Sequence, residues 1–355
     1  MVLMAKRART IEVADTDRVE GFAHPREVQR LAGQDAALAH AARAIRSGKP
    51  PQAWLISGPP GIGKATLAYR IARYLLEYGA TDKGPADLSV PERSAAAIQV
   101  SAASHPGLLV LKRGINPDTG KLMTVLSVDE IRRLSGFFGM TSGAGGWRVA
   151  VVDTADDMNE AAANALLKLL EEPPSRAMLL LVANVPGRLL PTIRSRCQRL
   201  NLRPLEPAMM EVELKTLLPE LDAKQRASLA RLSGGSIGMA LTLAGGEGTS
   251  LAAEADRLIE QSAQPDVSAL LAFADKMNRM TDGLDNFGVF VGQALEDRIR
   301  ARAMTDPARL DRWVEAWERL ARLFSRSTAL HMDPRQTVLG AARTLNAARR
   351  RAGAL

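Results

Sequence analysis

The stretch AWLISGPPGIGKATLAYRIARYLL, residues 53–76, decides the fold of the first half of the chain. Its first five residues form a short apolar run between turn residues, which predicts a buried strand. A loop rich in glycine and proline follows, and the next residues place Leu67, Ile71 and Leu75 on one face at helical spacing. Strand, glycine-rich loop and helix in this order are typical of a phosphate-binding P-loop. The alternative is a glycine-rich turn that binds no ligand.

The chemistry of such a loop depends on its backbone N–H groups, its lysine and the amino end of the helix. Glycines let the backbone curl around phosphate oxygens, the lysine reaches the β- and γ-phosphates, and the helix dipole favours negative charge. ATP or ADP is the ligand that this pattern accommodates. The residues predicted to bind it are Gly58, Gly61, Gly63, Lys64, Thr66 and, from a later strand, Asp153.

One position of the loop departs from the pattern of an enzyme that hydrolyses ATP. The residue after the lysine is normally Ser or Thr, whose hydroxyl binds Mg²⁺, whereas this chain has Ala65. Thr66 comes next, but one step along a helix turns it ~100° away. It therefore does not replace the missing hydroxyl, and contact with an α-phosphate is its alternative role. We expect a degenerate site with weak or absent hydrolysis.

The segment RVAVVD, residues 148–153, has the form of a Walker B strand, which is an apolar strand that ends in an acid. Asp153 takes the place of the carboxylate linked to Mg²⁺. In hydrolysing enzymes of this class the next residue is usually a glutamate that activates water, but here it is Thr154, which cannot act as a general base. Asp156 and Asp157 are expected to cap the helix that follows. A second catalytic position is therefore missing.

Strands and helices alternate through the rest of the first half of the chain. Further apolar strands are predicted at 108–112, 122–127 and 178–183, with a turn at 116–120. Continuously apolar strands separated by helices indicate a parallel sheet that is covered on both faces. The first predicted domain is therefore an α/β P-loop domain with a parallel sheet over residues 1–205.

The pattern changes after about residue 203. Residues 206–245 are typical of two or three short helices, and a small helical lid domain is predicted over residues 206–248. From there to residue 355 the chain consists of amphipathic helical patterns without a recognisable strand. We expect a third, all-α C-terminal domain over residues 249–355.

Composition excludes several classes of protein. The 355 residues contain one cysteine, Cys197, which excludes an internal disulfide and a site built from several thiolates, and fits a reducing cytosol. Aromatic residues are only 4%, which argues against nucleic-acid modules that stack bases. No apolar run is long enough to cross a membrane, and the first residues do not form a secretory signal. The net charge of +8 favours an acidic partner, either DNA or an acidic protein surface.

Two further segments carry a resemblance to a known family. Residues 162–174 are AANALLKLLEEPP, and residues 179–200 are LLLVANVPGRLLPTIRSRCQRL. Together with GPPGIGKATLA and VAVVD, they resemble the bacterial clamp-loader subunits of the AAA+ class, and among these the delta-prime family of DNA polymerase III. The resemblance is specific over about residues 20–205 and moderate over 206–245. Beyond residue 250 it rests on helical character alone.

The departures from the AAA+ motif favour delta-prime over the motor subunits of this family, called gamma/tau. Motor subunits resemble this chain but keep the hydroxyl and the glutamate that Ala65 and Thr154 replace. They also carry a phosphate-sensing arginine where this chain has Gly238. Family members often contain a zinc module with four cysteines, but the matching stretch, 77–104, has none. We therefore expect no zinc, and the four widely spaced histidines indicate no other metal site.

The resemblance also assigns a role to Arg196 in the sequence Ser195-Arg196-Cys197. It implies an arginine finger that acts in trans, since its guanidinium would stabilise charge on the phosphoryl group in a neighbouring subunit's site. The alternative is an ordinary surface arginine in a salt bridge. Cys197 is predicted to be a small buried residue and not a nucleophile. Asn184 is either a polar phosphate sensor or a turn cap, and Lys168 either faces DNA or is solvated.

The function implied by the resemblance is that of a non-motor clamp-loader subunit in DNA replication. Such a subunit joins motor (gamma/tau) and delta subunits in a hetero-pentameric ring through its C-terminal collar, and the ring loads a sliding clamp onto primed DNA. We expect indirect contact with the clamp, contact with the backbone of primer-template DNA, a cytoplasmic location and no membrane. The isolated chain would lack significant ATPase activity, although the DNA polymerase III holoenzyme is a nucleotidyltransferase. Two alternatives stay open: an ATP-hydrolysing motor of the gamma/tau type, and a nucleotide-gated binding protein outside replication.

Overall fold

A computed structural model describes residues 18–19, 21–115, 123, 125–139, 146–278, 280, 283–305, 310–330 and 332–355. These residues form two compact units. Unit 1 contains the residues up to Glu213 and the segment Gly235–Gly238, and unit 2 contains Leu214–Gly234 and Met239–Leu355. The division into three domains at 205/206 and 248/249 stays a prediction.

Strands and helices alternate in unit 1, as the sequence predicts. The strands are β1 (Ala53–Ser57), β2 (Leu108–Leu111), β3 (Arg148–Val152), β4 (Ala177–Ala183) and β5 (Gln198–Asn201). The helices are α1 (Asp35–Arg46), α2 (Lys64–Tyr78), α3 (Ala95–Ser101), α4 (Val128–Gly139), α5 (Glu160–Glu171) and α6 (Pro191–Arg196), and α7 (Pro207–Leu217) runs from unit 1 into unit 2.

The five strands form one sheet in the order β2-β3-β4-β1-β5, and every pairing is parallel. Trp54 of β1 lies opposite Leu180 of β4 and Gln198 of β5. Alternate residues of β1 enter different apolar clusters, because successive side chains of a strand point to opposite faces. Both clusters are buried, so the α/β P-loop fold with a sheet covered on both faces is confirmed.

Two details of the sheet differ from the sequence prediction. The edge strand β5 has the sequence QRLN, which contains no apolar run, and only its pairing with β1 defines it. The strand predicted at 122–127 lies partly outside the described residues. Its described part forms no strand, but Leu126 makes an isolated parallel bridge to Met158. The turn predicted at 116–120 lies outside the described residues altogether.

Residues 79–104 leave the sheet between α2 and β2, and hydrogen bonds from side chains to backbone hold part of this segment. The Tyr74 hydroxyl donates to the carbonyl of Thr81 at 3.0 Å. The Arg70 guanidinium donates to the carbonyl of Asp87 from two nitrogens, at 3.0 and 2.8 Å. Leu88, Val90, Ala97 and Val100 of the segment are buried against or near the core. Among the described residues, no group of three or more His, Cys, Asp or Glu side chains is placed to hold a metal ion.

Unit 2 is helical throughout its described residues. Its helices are α8 (Ala223–Leu232), α9 (Ile237–Ala244, whose first two residues belong to unit 1), α10 (Gly246–Glu260), α11 (Val267–Met277), α12 (Gly283–Thr305), α13 (Leu310–Ala329) and α14 (Pro334–Ala352). Phe287, Phe290 and Phe324 are buried between α12 and α13. Gly288 allows these two helices to approach closely, since a Cβ there would lie 2.7 Å from Cγ of Phe324. No described helix has the length and apolar character needed to cross a lipid bilayer.

Candidate functional site

The P-loop follows β1 at the carboxyl edge of the sheet, as parallel α/β folds place their ligand sites. Three of its glycines have positive φ: Gly58 at 148°, Gly61 at 74° and Gly63 at 97°. A Cβ at Gly58 would lie 2.7 Å from the carbonyl oxygen of Leu202, which is closer than real Cβ contacts come. Any residue other than glycine would therefore be strained at these predicted positions.

Lys64 is the first residue of α2, and it is only 5% exposed. Its Nζ donates a hydrogen bond of 2.6 Å to the carbonyl of Pro59, so the side chain folds back across the loop. Burial lowers the pKa of Lys64 from 10.5 to about 8, and the nearby carboxylates of Asp153 and Asp156 oppose that shift. The ammonium group is thus still mostly charged at pH 7 and can bind an anion.

The lowered pKa of Lys64 predicts a specific pH dependence of stability. A lysine with a lowered pKa in the folded state binds fewer protons there than in the unfolded chain, so its contribution to stability rises as pH rises through 8 towards 10.5. Between pH 7.5 and 9.5 we expect the unfolding free energy of the wild type to rise by about 2 kcal/mol relative to Lys64→Met. Urea unfolding of both proteins across this range measures the difference. A difference that stays constant with pH would contradict the assignment.

Ala65 and Thr66 lie in the first turn of α2, directly after Lys64. Ala65 offers no oxygen to a metal ion, and both residues are half-buried. The local structure therefore has the backbone conformation of a P-loop but no hydroxyl at the position that normally binds Mg²⁺. The role of Thr66 at a nucleotide stays a prediction.

Asp153 follows β3 and is 7% exposed. Its Oδ1 accepts a hydrogen bond of 3.0 Å from the backbone N–H of Thr154. Thr154 itself has φ of 51°, a left-handed conformation that is unusual for a β-branched residue. The chain therefore makes a sharp and strained turn at Thr154. Hydrolysing enzymes carry their glutamate at this position.

The structure corrects the prediction that Asp156 caps the following helix. The helix α5 is capped by Asn159, whose side chain accepts from the N–H of Ala162 at 2.8 Å. Asp156 instead crosses to the end of β4, where its carboxylate accepts from the N–H groups of Asn184, at 3.1 and 3.2 Å, and of Val185, at 2.7 Å. This buried carboxylate therefore ties the turn after β3 to the segment after β4.

Asp157 does not cap α5 either. Its Oδ2 lies 3.5 Å from Nε of Arg113, a residue that follows β2. Burial raises the pKa of the Asp157 carboxyl above its ordinary value, and the charge of Arg113 opposes that effect. Asp156 and Asp157 thus connect the turn after β3 to the segments that follow the neighbouring strands β4 and β2. The predicted role of Asn184 as a phosphate sensor is not tested by these contacts, which involve its backbone.

The segment Gly235–Gly238 belongs to unit 1 and lies against the P-loop. The Gly238 N–H donates to the carbonyl of Gly61 at 2.8 Å, and the Ser236 hydroxyl donates to the carbonyl of Pro60 at 2.9 Å. A Cβ at Gly238 would lie 2.7 Å from Cα of Gly61. This position therefore has no room for a side chain in the present backbone conformation, in addition to lacking the arginine of a motor subunit.

Arg196 is the last residue of α6, and its side chain is 38% exposed. Its Nη1 donates to the carbonyl of Thr192 at 3.1 Å, and its Nη2 lies 3.1 Å from Oε1 of Glu171. The adjacent Cys197 is buried, as predicted, and burial raises the pKa of its thiol to about 12. A neutral, buried thiol has little nucleophilic character.

Sheet register separates Arg196 from the P-loop of its own chain. Arg196 lies two residues before β5. The first residue of β5, Gln198, is opposite Trp54, and its last residue, Asn201, is opposite Ser57, which directly precedes the P-loop. Three strand steps, about 10 Å, separate these two levels. The strands are parallel, so Arg196 is near the amino edge of the sheet and Lys64 is at the carboxyl edge. The predicted site residues thus form two groups, with Arg196 outside the P-loop group.

Residues 33–206 match a family model described as "DNA polymerase III, delta subunit". Over these residues the chain is similar to that family. The chain is 40% identical over 185 residues to DNA polymerase III subunit delta' of Pseudomonas aeruginosa, and this match covers 52% of the chain and 53% of that relative. It is 29% identical over 198 residues to DNA polymerase III subunit gamma/tau of Mycobacterium tuberculosis H37Rv, covering 54% of the chain and 31% of that relative.

A solved structure, a DNA polymerase III gamma subunit-related protein from Thermotoga maritima, is also similar. Its sequence identity is 19% and the TM-score is 0.45, with 88% of this chain and 99% of that chain covered. The chain spans about half the length of the curated delta' relatives that it matches. The similarity to the delta-subunit family thus lies in the region that contains the P-loop, Asp153 and Arg196.

Proposed function

We propose that this protein is a delta-prime-type, non-motor subunit of a DNA polymerase III clamp loader. The single observation that carries the proposal is the placement of Arg196 at the opposite edge of the sheet from its own P-loop. A guanidinium there cannot reach a phosphate bound at Lys64, but its side chain is partly exposed to solvent. An arginine finger that acts on a neighbouring subunit's ATPase site has to lie away from the P-loop of its own chain, as Arg196 does.

The P-loop of the chain itself supports a role without hydrolysis. Ala65 supplies no metal-binding hydroxyl, Thr154 supplies no general base, and Gly238 supplies no arginine and leaves no space for one. The glycine backbone and the charged Lys64 remain suited to an anion. The proposed ligand is ATP or ADP in a structural or regulatory role, with weak or absent turnover.

The proposed partners are the motor (gamma/tau) and delta subunits of a hetero-pentameric ring that acts in the cytoplasm during replication. In this proposal residues 1–205 form the AAA+ domain, 206–248 the lid and 249–355 the collar that joins the subunits. The sliding clamp is contacted through the complex, and the net charge of +8 favours proximity to the backbone of primer-template DNA. No zinc participates.

The experiment that tests this proposal measures ATP hydrolysis by the purified chain and by the reconstituted complex. The chain alone should hydrolyse Mg²⁺-ATP no faster than its Lys64→Ala variant, with the motor subunit of the same organism as positive control. Hydrolysis that Lys64→Ala abolishes would instead identify a motor subunit. The chain should also co-elute with motor and delta subunits and be required for clamp loading on primed DNA. Failure to associate with them would favour a binding protein outside replication.

A further inference from the structure

Glu171 is the acidic partner of Arg196, and its position is fixed by the end of a helix. It is the last residue of α5, and Pro173 and Pro174 prevent the helix from continuing. Its side chain is 54% exposed, and its Oε1 lies 3.1 Å from Nη2 of Arg196. The contact joins the ends of α5 and α6, which pack against each other.

The position of Glu171 is unfavourable for an acid unless a cation is near. The carboxyl end of a helix carries partial negative charge, so a carboxylate in the last turn opposes the helix dipole. Arg196 compensates this charge, and it also lies at the carboxyl end of its own helix, α6, where a cation is favourable. The two helix ends therefore favour this pairing over a solvated Glu171 and a mobile Arg196.

Two anchors hold the guanidinium of Arg196 in one orientation. The carbonyl of Thr192 accepts from Nη1, and Glu171 binds at Nη2. A guanidinium has five N–H groups in a rigid planar fork, so two single contacts leave three N–H groups for another ligand. A long side chain that is already oriented loses less rotamer freedom when it binds a phosphate.

We infer that Glu171 is a positioning residue for Arg196, which it holds ready for phosphate in a neighbouring ATPase site. This inference rests on the proposed function, because it assumes that Arg196 acts in trans. Glu171 does not touch the nucleotide and acts only through the guanidinium. Because Glu171 contributes only an exposed ion pair, its effect on the rate of ATP hydrolysis is modest and sensitive to salt.

The test compares Glu171→Gln with Glu172→Gln in the reconstituted complex. Glu172 is the next residue, is exposed and is also acidic, so its variant controls for the loss of one negative charge at the end of α5. We expect Glu171→Gln to lower kcat at the affected site by about threefold at low salt, with KM for ATP unchanged. Glu172→Gln should retain the wild-type kcat. The difference between the two variants should shrink as salt is raised to about 0.5 M.

A double-mutant cycle separates positioning from a general structural effect. In an Arg196→Ala background, Glu171→Gln should have no further effect on kcat. Equal kcat for the Glu171→Gln and Glu172→Gln complexes, or a threefold loss that persists without Arg196, would overturn the inference. If Arg196→Ala itself leaves kcat unchanged, the arginine-finger proposal fails, and that result is distinguishable from failure of the Glu171 inference alone.

Discussion

Replacing Arg196 with alanine is expected to lower ATP hydrolysis at the neighbouring site by about 10³-fold, the lower end of the range measured for arginine fingers. Arg196→Ala should leave the fold intact, because the side chain is exposed and its ion pair with Glu171 is also exposed. Single-turnover hydrolysis in the reconstituted complex measures the effect.

Two variants make the Arg196 result specific. Arg199→Ala removes an exposed arginine three residues away, on β5, and should leave the rate unchanged. Arg196→Lys keeps the positive charge but loses the planar fork, so it should restore only part of the rate. Assembly of all three complexes, measured by gel filtration, should match the wild type. Wild-type hydrolysis by an assembled Arg196→Ala complex would rule out the finger.

Replacing Asp156 with alanine is expected to lower the unfolding free energy by about 3 kcal/mol. The carboxylate accepts from the N–H groups of Asn184 and Val185, and hydrogen bonds to a charged group contribute more than neutral ones. The variant also removes a negative charge that favours the protonated form of Lys64. Urea unfolding measures the loss, and Asp156→Asn should show a smaller loss because one amide oxygen remains as an acceptor.

Asp129→Ala is the control for Asp156→Ala. Asp129 is also acidic, but its side chain is 80% exposed and its partner is the exposed Arg132. This substitution should change the unfolding free energy by less than about 0.5 kcal/mol. A loss below about 1 kcal/mol for Asp156→Ala would mean that water replaces the carboxylate at the end of β4.

The elements with a strong local pattern could be predicted from the sequence. The strand β1 has the predicted bounds, and β4 is one residue longer than predicted, because continuously apolar strands flanked by turns are typical of a buried parallel sheet. The P-loop glycines could also be predicted, because glycine adopts their backbone conformation without strain. In each case the signal lies within a few neighbouring residues.

The interactions that depend on distant residues could not be predicted. The strand β5 is polar and is defined by its pairing with β1, which lies more than 140 residues earlier. Asp156 looks like a capping acid in sequence, but Asn159 takes that role and Asp156 reaches the end of β4. Nothing near Arg196 in the sequence identifies Glu171 as its partner, because the contact joins the ends of two helices.

The contact between Gly238 and Gly61 limits the evolutionary routes by which this protein, in the proposed non-motor role, could gain ATP hydrolysis. Because a side chain at position 238 would collide with the backbone of Gly61, an arginine there first requires the loop to move. That movement brings no catalytic gain while positions 65 and 154 are Ala and Thr. In the proposed non-motor role, an arginine at position 238 would thus gain no hydrolysis by itself and would also require the loop to move.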